Sequence, residues 1–193
     1  MPGIPALFDA IKAASPPLGS PTKVVGIDGP GGAGKSTLAR DLAAAFGEVP
    51  VVQTDDFASW DNPDDWWPRL LQQVLRPLAA GEEARYQRYD WNDQRLAECI
   101  ELPLRPEVVI VEGVTAIRRE FDPYLAYRIW VETPRTLRLH RGLERDGESM
   151  RGQWESWMAA EDAYVARDNP IARADAVVSG QQARRRHSLD SWG

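Results

Sequence analysis

The chain has 193 residues, 43% of them hydrophobic and 27% charged, enough for one ordinary domain that buries roughly 70% of the surface its unfolded chain exposes. Lys and Arg number 23 against 29 Asp and Glu, a formal charge of -6, which is a poor electrostatic match to a polyanion and disfavours nucleic acid as a main partner. A single cysteine, Cys99, and two histidines, His140 and His187, rule out a disulfide scaffold and a structural zinc site.

Residues 1–14 carry neither a basic leader nor a sustained apolar run, so no signal peptide and no membrane span is read there and a cytoplasmic location is expected. An amphipathic stretch over 4–14 is followed by a punctuating Pro, Gly and Ser run over 15–21. This gives an N-terminal helix and linker over 1–21, a domain proper over 22–180 and a polar tail over 181–193. Within the domain, an apolar strand over 23–28, a glycine-rich turn over 29–34, a helix over about 35–46 and an apolar strand over 49–54 make a βαβ unit. Helical spacing follows over 66–80, an apolar strand over 108–111 ends in Glu112-Gly113, and a further strand is read over 128–132. Helices over 134–145 and 153–167 and a last strand over 176–179 complete an alternation that implies a mostly parallel, helix-covered sheet.

The turn Gly29-Pro30-Gly31-Gly32-Ala33-Gly34-Lys35-Ser36 fits G-x-x-x-x-G-K-[ST] between a predicted strand and a predicted helix. Glycines let backbone N–H groups turn in around phosphate oxygens, and the helix N-terminus adds its positive dipole end. Lys35 reaches the outer phosphates, and Ser36 can ligate Mg²⁺. Gly29, Gly31, Gly32, Ala33, Gly34, Lys35, Ser36 and Thr37 are therefore the expected ATP contacts. The same glycines also fit the dinucleotide pattern G-x-G-x-x-G, but such a site has no use for the adjacent Lys-Ser pair. A switch GTPase is excluded because its guanine-reading Asn-Lys-x-Asp needs a lysine, and none follows Lys35. Val178-Ser179-Gly180-Gln181 superficially matches a transporter ATPase signature but lacks the helical domain that signature requires, so it reads as a strand end and turn.

Asp55-Asp56 stands at the end of the second apolar strand, where ligands of open parallel sheets gather. One carboxylate there can accept a proton from an acceptor hydroxyl while the other orients it or a water on Mg²⁺; the competing reading is a helix-capping pair. Glu112, ending its own apolar strand, is a candidate for holding Mg²⁺ through water. All basic residues other than Lys12, Lys23 and Lys35 are arginines, so arginines need a positional argument. Arg138, Arg141 and Arg145 fall within an arc of about 60° on one helix. With Asp146-Gly147-Glu148-Ser149 and Arg151 they suggest a small Arg-rich lid over about 145–153 that brings Arg145 and Arg151 to a transferring phosphate, against the alternative of a solvated face paired with Glu144 and Glu148. Trp66, Trp67, Tyr86, Tyr89 and Trp91 either stack on an acceptor ring or pack a helix. Arg69, Arg85, Arg88 and Arg95 keep a nucleoside monophosphate kinase open, since they could grip a phosphate already on the acceptor. A nucleotide-binding regulatory protein without kinase activity is the third reading. The Arg184-Arg185-Arg186-His187 segment is assigned no role.

Taken together, Gly29 to Ser36, Val-Gln-Thr-Asp55-Asp56-Phe57, Val109-Ile-Val-Glu112-Gly113, Arg141-x-x-x-Arg145-Asp146 and Ala174-Asp175-Ala-Val-Val resemble the uridine kinase and phosphoribulokinase-like group of P-loop kinases over about 24–180. The resemblance implies a P-loop NTPase-type three-layer α/β fold with a five-stranded, mostly parallel sheet, helices on both faces and a lid. It implies Asp55 as the base, Asp56 and Glu112 beside Ser36 at Mg²⁺, and Arg141 at ATP. The residues expected at the acceptor are Asp55, Trp67, Tyr86, Tyr89 and Arg95. Trp67 stands where nucleoside kinases carry a ribose-binding Asp, and Tyr89-Asp90-Trp91-Asn92-Asp93-Gln94-Arg95 lacks the base-reading histidine, so the resemblance carries the reaction further than the substrate. The expected activity is ATP- and Mg²⁺-dependent transfer of a γ-phosphoryl group to a hydroxyl of a small metabolite. No membrane or nucleic-acid partner is expected, and a homodimer is left open.

Overall fold

The structure, a computed structural model, describes residues 1–59, 62 and 65–181, with the side chain of Leu18 left aside. The Arg184-Arg185-Arg186-His187 segment lies outside the described residues. In chain order the elements are α1 (Ile4–Ala13), β1 (Lys23–Asp28), α2 (Lys35–Ala45), β2 (Val51–Gln53), α3 (Trp67–Leu70), a π turn (Leu71–Leu75) and α4 (Arg76–Ala80). Then come β3 (Arg85–Asp90), β4 (Arg95–Glu101), β5 (Val108–Glu112), β6 (Leu125–Glu132), α5 (Arg135–Asp146), α6 (Arg151–Asp168), α7 (Pro170–Arg173) and β7 (Ala176–Ser179).

β1 and β5 are apolar almost throughout because both of their faces are covered, the mark of central parallel strands. They pair in parallel, β6 adds to the other side of β1, and the order β2-β5-β1-β6-β7 results, with every pair parallel. Successive side chains then sort to opposite faces. Val24, Val109 and Val111 join Leu70, Phe121, Trp130 and Tyr164 on one side. Val25, Ile27 and Ile110 join Leu7, Ile11 and Leu42 on the other. Helix α1, read as an element ahead of the domain, thus supplies Leu7 and Ile11 to the same core as α2.

Three elements differ from their expected form. β6 begins at Leu125 rather than 128, because buried Leu125 pairs with Val24 and a bulge between Val24 and Val25 hides the alternation. The antiparallel hairpin β3–β4 had no predicted counterpart. A bulge between Gln87 and Tyr89 puts Tyr86 and Tyr89, three residues apart, on one buried side, while β4 has no buried position. Its turn is held by Asp90, whose Oδ1 accepts from the amides of Asn92 and Asp93 at 2.9 and 3.0 Å. The expected flexible lid is the corner of a helical hairpin: α5 ends at Asp146, Gly147 takes φ 94°, and one 3₁₀ turn over Glu148–Met150 leads into α6. That hairpin closes tightly because Gly142 has no side chain: a Cβ there would run into the Trp154 ring.

Candidate active site

β1 delivers the glycine loop to the C-terminal edge of the sheet, where α2 starts and its first amides lack intrahelical partners. Gly34 caps that helix with φ 103°, a left-handed conformation that glycine adopts without strain. The loop is gripped from outside by side chains of β1, α5, α6 and the turn between β6 and α5. Asp28 is fully buried at the end of β1. Its Oδ1 accepts from the amides of Gly29 at 2.6 Å and Thr115 at 2.9 Å, and its Oδ2 from the Ile117 amide at 3.0 Å and the Tyr164 hydroxyl at 2.7 Å. Burial pushes the Asp28 carboxyl above the usual range, opposed by these donors. Thr133 Oγ1 donates to the Ala33 carbonyl at 2.9 Å, and Arg141 donates to the carbonyls of Gly32 and Gly180, both at 3.1 Å. Glu161 of α6 accepts from the Gly31 amide at 2.7 Å and pairs with buried Arg138 at 3.1 Å. Within the loop, the Lys35 ammonium donates to the Pro30 carbonyl at 3.0 Å.

In front of the loop lies a cleft of about 1130 Å³. It brings together most of the expected residues: Gly31, Gly32, Gly34, Lys35, Ser36, Thr37, Asp55, Glu112, Arg141 and Arg145 all line it. Gly29 and Ala33 sit just behind, the first tied to Asp28 and the second to Thr133. Buried Glu112 hydrogen-bonds with Ser36. Burial raises its carboxyl above the usual range, while the Lys35 charge and that hydrogen bond pull it down. Ser36 with a carboxylate suits Mg²⁺, a hard cation that takes one or two protein oxygens and completes its shell with phosphates and water. That demand is smaller than a cage, and among the described residues there is no cluster of three or more His, Cys, Asp or Glu side chains.

Other expected residues stand elsewhere. Asp56 is outside the cleft lining, half-buried against Tyr86, whose hydroxyl donates to its Oδ2 at 3.0 Å; burial raises the Asp56 carboxyl. Tyr86 itself is buried and stacks on Phe57 at 4.8 Å. Tyr89 is buried edge-on to Trp91 at 5.2 Å, and Trp91, which does line the cleft, donates its indole N–H to the Asp55 carbonyl at 3.1 Å. Trp67 lies under Arg118 rather than in the cleft, whereas its neighbour Trp66 lines it. Arg95 pairs with Asp93 on the exposed hairpin turn.

The three arginines of α5 part company. Arg138 is buried with Glu161, Arg141 bridges the loop to Gly180, and Arg145 pairs with Asp146 at 2.7 Å over the Trp154 ring. Arg151 is exposed, pairs with Glu148 at 2.6 Å and does not line the cleft, because α6 begins there and turns it outward. Of the residues that kept a monophosphate acceptor open, Arg69 holds the carbonyls of Phe57 and Gln87, Arg88 pairs with Glu98, and Arg85 is exposed; none lines the cleft. Residues not singled out beforehand are Asp28, Thr133 and the face of α6 bearing Trp154, Trp157, Glu161 and Tyr164. The spacing of that face, with an acid among aromatics, was the available signal.

A strand, a phosphate loop and a helix at the centre of a parallel sheet, roofed by an arginine-bearing helical hairpin, define the P-loop kinase class, whose members use ATP and commonly Mg²⁺. The model of the Phosphoribulokinase / Uridine kinase family matches residues 58–184, about two thirds of the chain. The chain belongs to that family and is a phosphotransferase acting on a hydroxyl group. The match begins after the loop and after Asp55, so those two features support the class independently. A uridine kinase of Borrelia duttonii (strain Ly) is 27% identical over 146 residues, covering 68% of this chain and 70% of that protein. One from Halobacterium salinarum is 26% identical over 160 residues, covering 72% and 71%. A solved structure described as a possible uridine kinase from Bacillus stearothermophilus shares the fold with a TM-score of 0.66 at 24% identity, covering 90% of this chain and 96% of that one. Among the described residues, no helix is long and apolar enough to cross a membrane.

Proposed function

We propose that this chain transfers the γ-phosphoryl group of ATP to a hydroxyl of a small metabolite. The supporting observation is that Lys35, Ser36, Glu112 and Asp55 line one cleft, phosphate-binding groups on one wall and a carboxylate on the next strand end. Lys35 and the α2 amides neutralise the terminal phosphates. Ser36 and Glu112 would hold Mg²⁺, which when bound supplies further neutralisation of phosphate charge. The acceptor oxygen bonds to the γ-phosphorus as the bond to the bridging oxygen breaks, ADP leaves, and Asp55 takes the hydroxyl proton. Arg145, swinging from Asp146, balances charge on the phosphoryl group in flight. Arg141 steadies the loop from the nucleotide side.

The test is Asp55→Asn, followed by ADP release with Mg²⁺ and ATP across a set of hydroxyl acceptors. Transfer is expected to fall by about 10²- to 10⁴-fold, the usual worth of a positioned base, while ATP affinity holds. Turnover equal to the parent would remove Asp55 from the chemistry.

A further inference from the structure

Besides the phosphate loop, the cleft is walled by Ser59, Trp66, Trp91, Arg118 and, from α6, Arg167, with exposed Asp65 also in its lining. Each of the two arginines is held by a carboxylate and lies by an aromatic ring, Arg118 buried and Arg167 largely exposed. Arg118 is 8% exposed, and a guanidinium that deep must be partnered. Its Nε and Nη2 donate to Glu120 at 2.9 and 3.2 Å, and its plane rests 4.7 Å from the Trp67 ring centroid. Neither Glu120 nor Trp67 lines the cleft. They hold the group from behind, leaving Nη1 without a hydrogen-bond partner among the described residues. Arg167 is held similarly: Nε donates to buried Asp168 at 2.7 Å, and the guanidinium lies 5.8 Å from the Tyr164 ring. Asp168 is off the wall as well, its other oxygen accepting from the Arg119 amide at 3.4 Å. Both arginines therefore line the cleft, and the carboxylates that offset their charge do not.

We infer that the acceptor carries an anionic group, a carboxylate or a phosphate monoester, received by Arg118 and Arg167 while its hydroxyl faces Asp55; this rests on the kinase reading above. A planar guanidinium fork fits an oxyanion through paired N–H donors, and stacking on an aromatic ring fixes its orientation before the ligand arrives. Trp66 and Trp91 supply apolar walls for the skeleton between the two polar ends. A neutral analogue would leave a desolvated Arg118 nitrogen unmatched, which selects against it.

The experiment measures ADP release by the full chain with Mg²⁺ and ATP on matched acceptors: glycerate against glycerol for the carboxylate, ribose 5-phosphate against ribose for the phosphate, and uridine as a neutral reference. The anionic member of one pair is expected to lead in kcat/KM by at least about 10-fold, and the pair that responds identifies the anion. Arg118→Gln should raise the KM for that anion about 10-fold while moving kcat much less, with Arg118→Lys partly restoring it. Arg167→Gln, at a more exposed position, gives the same test with less risk to folding. Equal or better turnover of the neutral members, or of uridine, would overturn the anionic acceptor and leave the kinase reading standing. No ADP release with any compound, while ATP binding persists by calorimetry, would overturn both.

Discussion

The phosphate loop and helix α6 face each other across one cleft, and they contribute by opposite means. The loop offers main-chain amides and one ammonium group, so its chemistry is written in a short contiguous motif. Helix α6 offers side chains spread over fourteen positions, from Trp154 to Arg167, and two of them act on the loop itself: Glu161 on the Gly31 amide, and Tyr164 through Asp28. A loop rich in glycine gains nothing from its own side chains in choosing one conformation, so the conformation must be imposed by neighbours. The difference teaches that the motif states what the site binds, whereas the helix states how the motif is kept in shape.

Removing the loop's charge should give the largest effect. Lys35→Ala deletes a buried ammonium group together with its hydrogen bond to Pro30 and its attraction to the buried Asp28 and Glu112 carboxylates. Transfer is expected to fall about 10³-fold in kcat/KM, a loss far larger than the accompanying change in stability. Full activity would refute the loop assignment.

The reverse profile is expected on the other wall. Glu161→Ala strands buried Arg138 and frees the Gly31 amide at once, and breaking such a buried pair costs about 3 kcal/mol. Glu161→Gln keeps an acceptor for Gly31 and should lose less. Denaturant titration of both variants decides; an Ala variant as stable as the parent would make α6 a mere cover.

Asp28 sharpens the comparison through pH. Asp28→Asn turns one oxygen into a donor facing either the Ile117 amide or the Tyr164 hydroxyl, a loss of about 2 kcal/mol. Because burial raises the folded carboxyl above its unfolded value, the neutral form favours the fold. That contribution is complete below the unfolded value near 3.8 and is lost as pH rises through the folded one. Asparagine does not titrate, so the gap in thermal midpoint between parent and variant should narrow as pH is raised from acid towards neutral. A gap that widens would contradict the raised value.

What could be read beforehand divides along the same line. The central strands β1 and β5 were legible because both-face burial makes them continuous apolar runs, and the loop because Gly-Lys-Ser follows one of them. Asp28 was legible only as the end of a strand, since nothing local tells that it will meet Tyr164, 136 residues away. Arg138, Arg141 and Arg145 share a helical arc, yet burial separates them: one finds Glu161, one the loop carbonyls and one Asp146. The hairpin β3–β4 escaped because a bulge disturbs its period and its outer strand is exposed. Spacing carries a face, but not the partner that the face will meet.

The smallest expected effect tests the two adjacent acids, which only the family resemblance, and not their spacing, assigned to different roles. Asp55 lines the cleft, while Asp56 turns to the hairpin and takes the Tyr86 hydroxyl. If Asp56 anchors β3, Tyr86→Phe should cost about 1 kcal/mol of stability. Its transfer rate should fall by less than about threefold, since no interaction made only in the transition state is removed. Losing that donor also pushes the already raised Asp56 carboxyl further up, so the stability difference should be greatest where the parent's Asp56 is ionised, towards neutral pH. A rate loss in Tyr86→Phe approaching that of Asp55→Asn would instead put both acids in the chemistry, and would mean that the hairpin reaches the reacting atoms through Asp56.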